Sequence, residues 1–160
     1  VCTGCEKVET GSYKEGTYMG YNIDGESVTT AVVYVDKNGI FILDKQGNDI
    51  RFVPISLPNI QNIEATFTDA VLIDDKIYFL AAVENSKSTY DDGEVLGSFI
   101  GALSLDTFQL IFSEKISESH KFEGLTLFKN SIDKIEFLLC EDKDTEALET
   151  AIYSLTLSKS

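Results

Sequence analysis

From residue 28 onward, short apolar and β-branched runs alternate with clusters of turn-forming residues, and side chains within the runs follow a period of two. This pattern predicts strands at 28–35, 39–43, 49–55, 68–73, 76–84, 96–105, 108–116, 121–128, 134–141 and 148–157. Asp36-Lys37-Asn38-Gly39 is a turn ending in Asn-Gly, a dipeptide that tolerates positive φ. Residues 44–48, Asp74-Asp75, Asp106-Thr107 and Lys129-Asn130-Ser131 mark further breaks. Pro54 and Pro58 bracket a stretch that cannot lie inside a central strand, because proline has no amide proton for a ladder. Helical character is confined to residues 145–150, too few to hold a helix alone. Residues 1–27, rich in Gly, Ser, Thr and charge, form a weakly structured N-terminal segment with one strand near 17–23; residues 28–160 form the β domain.

The runs repeat weakly. Residues 31–43, 70–80 and 124–138 each read as an apolar strand, a polar turn and a second apolar strand. Four-stranded blades recurring every ~40–50 residues define a β-propeller. The expected fold is therefore all-β and propeller-like, with a β-sandwich of hairpins as the alternative. The 160 residues supply about three blades, whereas a closed ring needs at least about four. The expectation is thus part of a larger ring, or one completed by self-association or a partner chain.

Charge narrows the choice of partner. Thirteen Lys and Arg face 27 Asp and Glu, a net charge of −14. Such a surface repels phosphate backbones, so nucleic-acid binding is not expected, and cationic partners or a divalent metal suit its sign. No run approaches the ~20 apolar residues of a membrane helix, so no membrane span is expected. The chain opens on Val1, which points to processing or truncation of a soluble protein and leaves the compartment open, an extracytoplasmic one included.

Chemistry concentrates in four clusters: Phe67-Thr68-Asp69-Ala70; Glu84-Asn85 with Tyr90-Asp91-Asp92-Gly93; Lys121-Phe122-Glu123-Gly124-Leu125; and Glu141-Asp142-Lys143-Asp144. By strand alternation Glu84 shares a face with Ala82, Leu80 and Tyr78, and Glu123 with Leu125 and Leu127. A carboxylate ending an apolar face is costly unless paired, hydrogen-bonded or bound to a cation. The alternative is a strand-end glutamate that simply reaches water. Asp69, Glu84, Tyr90, Asp91, Asp92 and Glu123 are the candidate ligand-binding residues, and Glu123 is the candidate catalytic base or acid. Glu84, Asp91 and Asp92 are candidate calcium ligands, since calcium prefers carboxylate oxygens, although their spacing is not that of an EF-hand. An ordinary Asp-Gly turn also explains Asp92-Gly93. Gly97 and Gly101 inside a strand mark a close approach by another backbone or a ligand. The run from Glu141 reads as a solvated loop.

Other chemistries find little support. Cys2-x-x-Cys5 is at most half a zinc site, with one histidine, His120, and no second Cys pair; Cys140 makes the count odd. A nucleophilic triad would have to combine His120 with Ser117 or Ser119 within one polar turn. No nucleophile elbow, phosphate loop or HExxH is present. The residues therefore leave open whether the chain is an enzyme. The readings are a binding module for a ligand, cation or partner, a metal-dependent phosphoester hydrolase, and a structural unit that pairs through open sheet edges.

Phe67-Thr-Asp-Ala70, Phe79-Leu-Ala-Ala-Val-Glu84, Tyr90-Asp-Asp-Gly93, Leu96-Gly-Ser-Phe-Ile-Gly101 and Lys121-Phe-Glu-Gly-Leu125, in this order, resemble a family of bacterial propeller-like proteins known as a domain of unknown function. The resemblance spans roughly residues 50–157, and the Glu-Gly-Leu element is distantly similar to phytase-like propellers, a group linked to phosphoester hydrolysis. It implies a propeller whose acidic motifs line one end of the channel. Members of that family are longer, and the matching part is their C-terminal portion.

Overall fold

The computed structural model describes residues 17–22, 30–36, 38–43, 49–85, 93–143 and 151–159. Among these the chain is all-β, with no helix. The strands are β1 (Thr17–Asn22), β2 (Thr30–Asp36), β3 (Gly39–Leu43), β4 (Asp49–Pro54), β5 (Asn59–Ile60), β6 (Ile63–Glu64), β7 (Thr66–Ile73), β8 (Lys76–Asn85), β9 (Glu94–Ser104), β10 (Leu110–Ser117), β11 (Lys121–Asn130), β12 (Lys134–Asp142) and β13 (Ile152–Ser158). They form small antiparallel sheets in sequence order: β1-β2-β3-β4, the hairpin β5-β6, β7-β8-β9-β10, and β11-β12-β13. Every pairing joins neighbours along the chain, so each sheet is a meander. The stretches at 1–16 and 145–150 lie outside the described residues, as do Cys2 and Cys5.

Turn chemistry accounts for the connections. Asp74, with φ of 54°, opens the two-residue link between β7 and β8. Gln61 and Asn62, with φ of 54° and 65°, make the β5–β6 turn, where two consecutive positive φ values match the twist of the strands. That hairpin was not expected from the sequence, because Gln-Asn is a weaker turn signal than Asn-Gly. β4 ends at Pro54, and residues 55–58 run outside any strand, as the two prolines require.

The middle sheet, β7–β10, is buried on both faces along β8 and β9, while its outer strand β10 has no buried residue. Along β8, Ile77, Phe79, Ala81 and Val83 enter a core shared with Val35, Ile40, Ile42, Ile55 and Leu57 of the first sheet and the segment after it. The alternate residues Tyr78 and Leu80 enter a second core with Phe122, Leu125, Ile135, Phe137 and Leu139 of the three-stranded sheet. This double burial explains why β8 reads as an unbroken apolar run rather than an alternating one. Phe79 packs edge-on to Phe67 at 5.0 Å, and Tyr78 lies 5.3 Å from the Phe137 ring. A methyl group at Gly101 would collide with the Phe79 ring and lie 2.8 Å from the Phe112 carbonyl oxygen. The close approach expected at this glycine is made by the protein's own core and neighbouring strand.

Candidate functional site

β-Bulges aim the polar residues between the middle and three-stranded sheets. The β7 register shifts between Phe67 and Asp69, and the β11 register shifts between Phe122 and Gly124, so Thr68 and Glu123 are the extra residues. Thr68 Oγ1 donates to the Phe122 carbonyl oxygen at 2.7 Å. Asp69 accepts from the Ala70 amide at 2.8 Å and from the Leu125 amide at 2.6 Å. Ser98 Oγ, fully buried, donates to the His120 carbonyl oxygen at 2.6 Å. These bonds fasten the start of β11 to the middle sheet. Asp69 thus serves as a clamp between strands, supplying acceptors to amides that the bulged ladder leaves over.

The bulge also alters the alternation expected for Glu123. Leu125 is buried, while the Glu123 side chain is 42% exposed. Lys121 Nζ lies 2.8 Å from a carboxylate oxygen of Glu84, at the end of β8, and 2.8 Å from one of Glu123. The lysine side chain is only 12% exposed and that of Glu84 27%. Burial presses the ammonium toward its neutral form, but the two carboxylates outweigh this and hold its pKa above lysine's ordinary 10.5. Asp142 stands opposite Lys121 across the β11–β12 ladder and hydrogen-bonds Glu123. Burial pushes the Glu123 carboxyl above its ordinary 4.5; Lys121 pulls it back, and the Asp142 charge and hydrogen bond push it up again. Two carboxyls in contact favour sharing one proton.

A second polar group adjoins the first. Glu141 is buried at the end of β12's inward face, following Ile135, Phe137 and Leu139. Its oxygens lie 2.6 Å from His120 Nδ1 and 2.8 Å from the Tyr153 hydroxyl, which donates. Burial raises the carboxyl, but the His120 and Tyr153 hydrogen bonds win and hold it below 4.5. The His120, Phe122 and Tyr153 rings pack together with centroids 5.2–5.9 Å apart. Glu141 is thus a buried, bonded anion, where the sequence suggested a solvated loop. Period-two alternation continued through 135, 137, 139 and 141 is the sequence signal that would have located it.

Of the residues expected to act together, Glu84 and Glu123 meet on Lys121, and Asp69 lies one strand away as a clamp. Tyr90, Asp91 and Asp92 lie outside the described residues. Among the described residues no three His, Cys, Asp or Glu are grouped to hold a metal ion. The positive charge between Glu84 and Glu123 is an internal lysine, whose role the sequence did not disclose.

A family profile matches residues 24–157, most of the chain. The chain belongs to DUF6929, a family of unknown function. The match takes in strands of all three larger sheets of this DUF6929 chain, a wider span than the resemblance around residues 50–157. No curated protein matches it significantly. No helix among the described residues is long and apolar enough to cross a membrane.

Proposed function

We propose that this DUF6929 chain is a propeller-type β module that binds a cationic group, an amine or guanidinium of a ligand or partner, at the carboxylates around Lys121. Three features support the propeller arrangement. The larger sheets are sequential meanders. The middle one is covered on both faces. The first strands lie side by side, β1 along β7 and β7 along β11. Kinship with phytase-like propellers belongs to the same proposal.

The observation that carries the binding reading is that carboxylates of different sheets, Glu84 and Glu123, converge on one lysine beside Asp142, with Glu123 still half exposed. Glu84, Glu123 and Asp142 against one ammonium leave net negative charge even when Glu123 and Asp142 share a proton, in a partly dehydrated setting where attraction to a cation exceeds that on open surface. Glu123 supplies the reachable oxygens. Binding is preferred to metal-dependent hydrolysis because Lys121 Nζ already stands between Glu84 and Glu123, where a metal would have to sit to take both as ligands.

The test is an NMR titration with agmatine, which carries both cationic groups, run in parallel with calcium. Agmatine is expected to shift the amides of residues 84, 121–123 and 142, with affinity falling about tenfold in Glu123→Gln, or ~1.4 kcal/mol. Shifts spread over the acidic surface and unchanged in that variant would refute the site. Saturable calcium binding at the same amides would replace the amine reading with the metal one.

A further inference from the structure

We propose that the outer edge of β13 receives an extended, basic segment of another protein, which joins the three-stranded sheet as a fourth strand. The edge, a groove beside its far end and the sign of the groove's charge point to this together.

Among the described residues β12 is the only strand hydrogen-bonded to β13, so within them the other side of β13 is a row of backbone donors and acceptors with no ladder partner. Among the described residues the first and middle sheets each have four strands in the same meander order, and the third has three. The other boundary strands of the larger sheets are guarded or already neighboured, β1 lying along β7. β10 contains Glu114 and Lys115 and two register shifts, and β4 has Asp49, Arg51, a terminal Pro54 and a shift against β3. β7 and β11 face each other through the Thr68 and Asp69 bonds. β13 has none of these guards. Its seven residues, Ile-Tyr-Ser-Leu-Thr-Leu-Ser, include no charge, proline or glycine, and its register with β12 is unbroken over all seven pairs. Flat, neutral edges of this kind are what strand addition uses.

Beside the far end of β13 lies a groove of about 760 Å³ between the middle and three-stranded sheets. It is at the end of the strands opposite Lys121. Tyr78, Phe112 and Leu157 form its apolar lining, and Asp74, Asp75 and Glu114 its acidic one. Of its two lysines, Lys76 pairs with Asp75 at 2.8 Å and Lys159 donates to Asn130 at 2.6 Å, which among the described residues leaves Asp74 and Glu114 as the groove's carboxylates without a lysine partner at salt-bridge distance and its net charge negative. A strand laid on β13 would send alternate side chains toward this groove. Apolar and basic residues in alternation meet its chemistry. A second copy of the chain does not, because each copy carries −14.

The probe is a synthetic seven-residue peptide alternating lysine and valine, compared with the same peptide N-methylated at alternate amides. N-methylation keeps charge and side chains but removes the donors of one edge. At about 0.15 M salt, the parent peptide is expected to bind and to slow amide exchange within 152–158, with no effect at 84 or 121–123. The methylated peptide is expected to bind at least about tenfold more weakly, the loss of one or two backbone hydrogen bonds, and Glu114→Lys to weaken the parent. Equal affinity of the two peptides would reduce the effect to charge and overturn the proposal. So would slow exchange at every amide of 152–158 in the unliganded protein, which would mean the edge is already covered. Sedimentation as a dimer through this edge would place a second copy there instead.

Discussion

Replacing Lys121 by Met removes the charge that holds Glu84 and Glu123 together, while keeping most of the buried stem. Each of the two 2.8 Å contacts is charge-assisted, worth ~1.5–3 kcal/mol when both partners are dehydrated. Glu123 is 42% exposed, so its share is screened and sits near the lower end of ~0–1 kcal/mol found for surface pairs plus a partial burial gain. Leaving partly buried carboxylates with no counter-charge adds a penalty, and the sum is about 2–4 kcal/mol of lost stability at neutral pH. With a urea m-value of about 2 kcal/mol/M for a chain of this size, the unfolding midpoint should fall by ~1–2 M. The pH dependence identifies the cause. Lys121 in the native protein has a raised pKa, so its contribution is complete below 10.5 and is lost only as pH rises through the folded value. In Lys121→Met the Glu123 carboxyl loses the ammonium that pulls it back and rises further, so its penalty fades as pH falls toward its unfolded value of 4.5. Urea titrations at about pH 8 and about pH 5.5 should therefore show a clearly smaller loss at the lower pH, still above the isoelectric point of 4.3. Adding Glu84→Gln to Lys121→Met should restore stability at the higher pH. An equal loss at both pH values, or a double variant no more stable than the single, would refute the idea that Lys121 acts as a counter-ion.

Two further outcomes follow from the clamps around the site. Asp69→Ala strands the Leu125 amide, bonded at 2.6 Å in the native protein, and should cost about 1–3 kcal/mol by urea unfolding, with faster amide exchange at Leu125. Glu141→Gln removes a carboxylate whose folded pKa is depressed; that group adds stability above its unfolded value of 4.5 and loses it as pH falls through the lower folded value. The variant should be less stable at pH 7 by about 1–3 kcal/mol and should show a flatter decline of melting temperature with acid than the native protein; a parallel decline would show that Glu141 is not the titrating group.

The strands were largely legible because their signals are local. Alternation and turn residues located all of the longer strands within a few residues, and the Asp74-Asp75 and Asn38-Gly39 turns lie where the pattern put them. The two-residue strands β5 and β6 escaped because so short a ladder has no period to read. Glu84 and Glu123 could be picked out from the sequence as carboxylates at the ends of apolar faces, and Asp69 as part of the Phe67-Thr68-Asp69-Ala70 cluster, but their partners could not. Asp69 binds an amide 56 residues away, and Glu84 reaches a lysine beyond two intervening strands.

Strand register decided the rest. A single extra residue in β11 turns Glu123 out of the face it would otherwise share with Leu125, and no local propensity records where a bulge falls. Local sequence thus determined which segments became strands, because backbone period and turn geometry act over a few residues. Which charges met was decided only when separate meanders stacked, since the energy of a buried ion pair exists only once both sheets have excluded water from it.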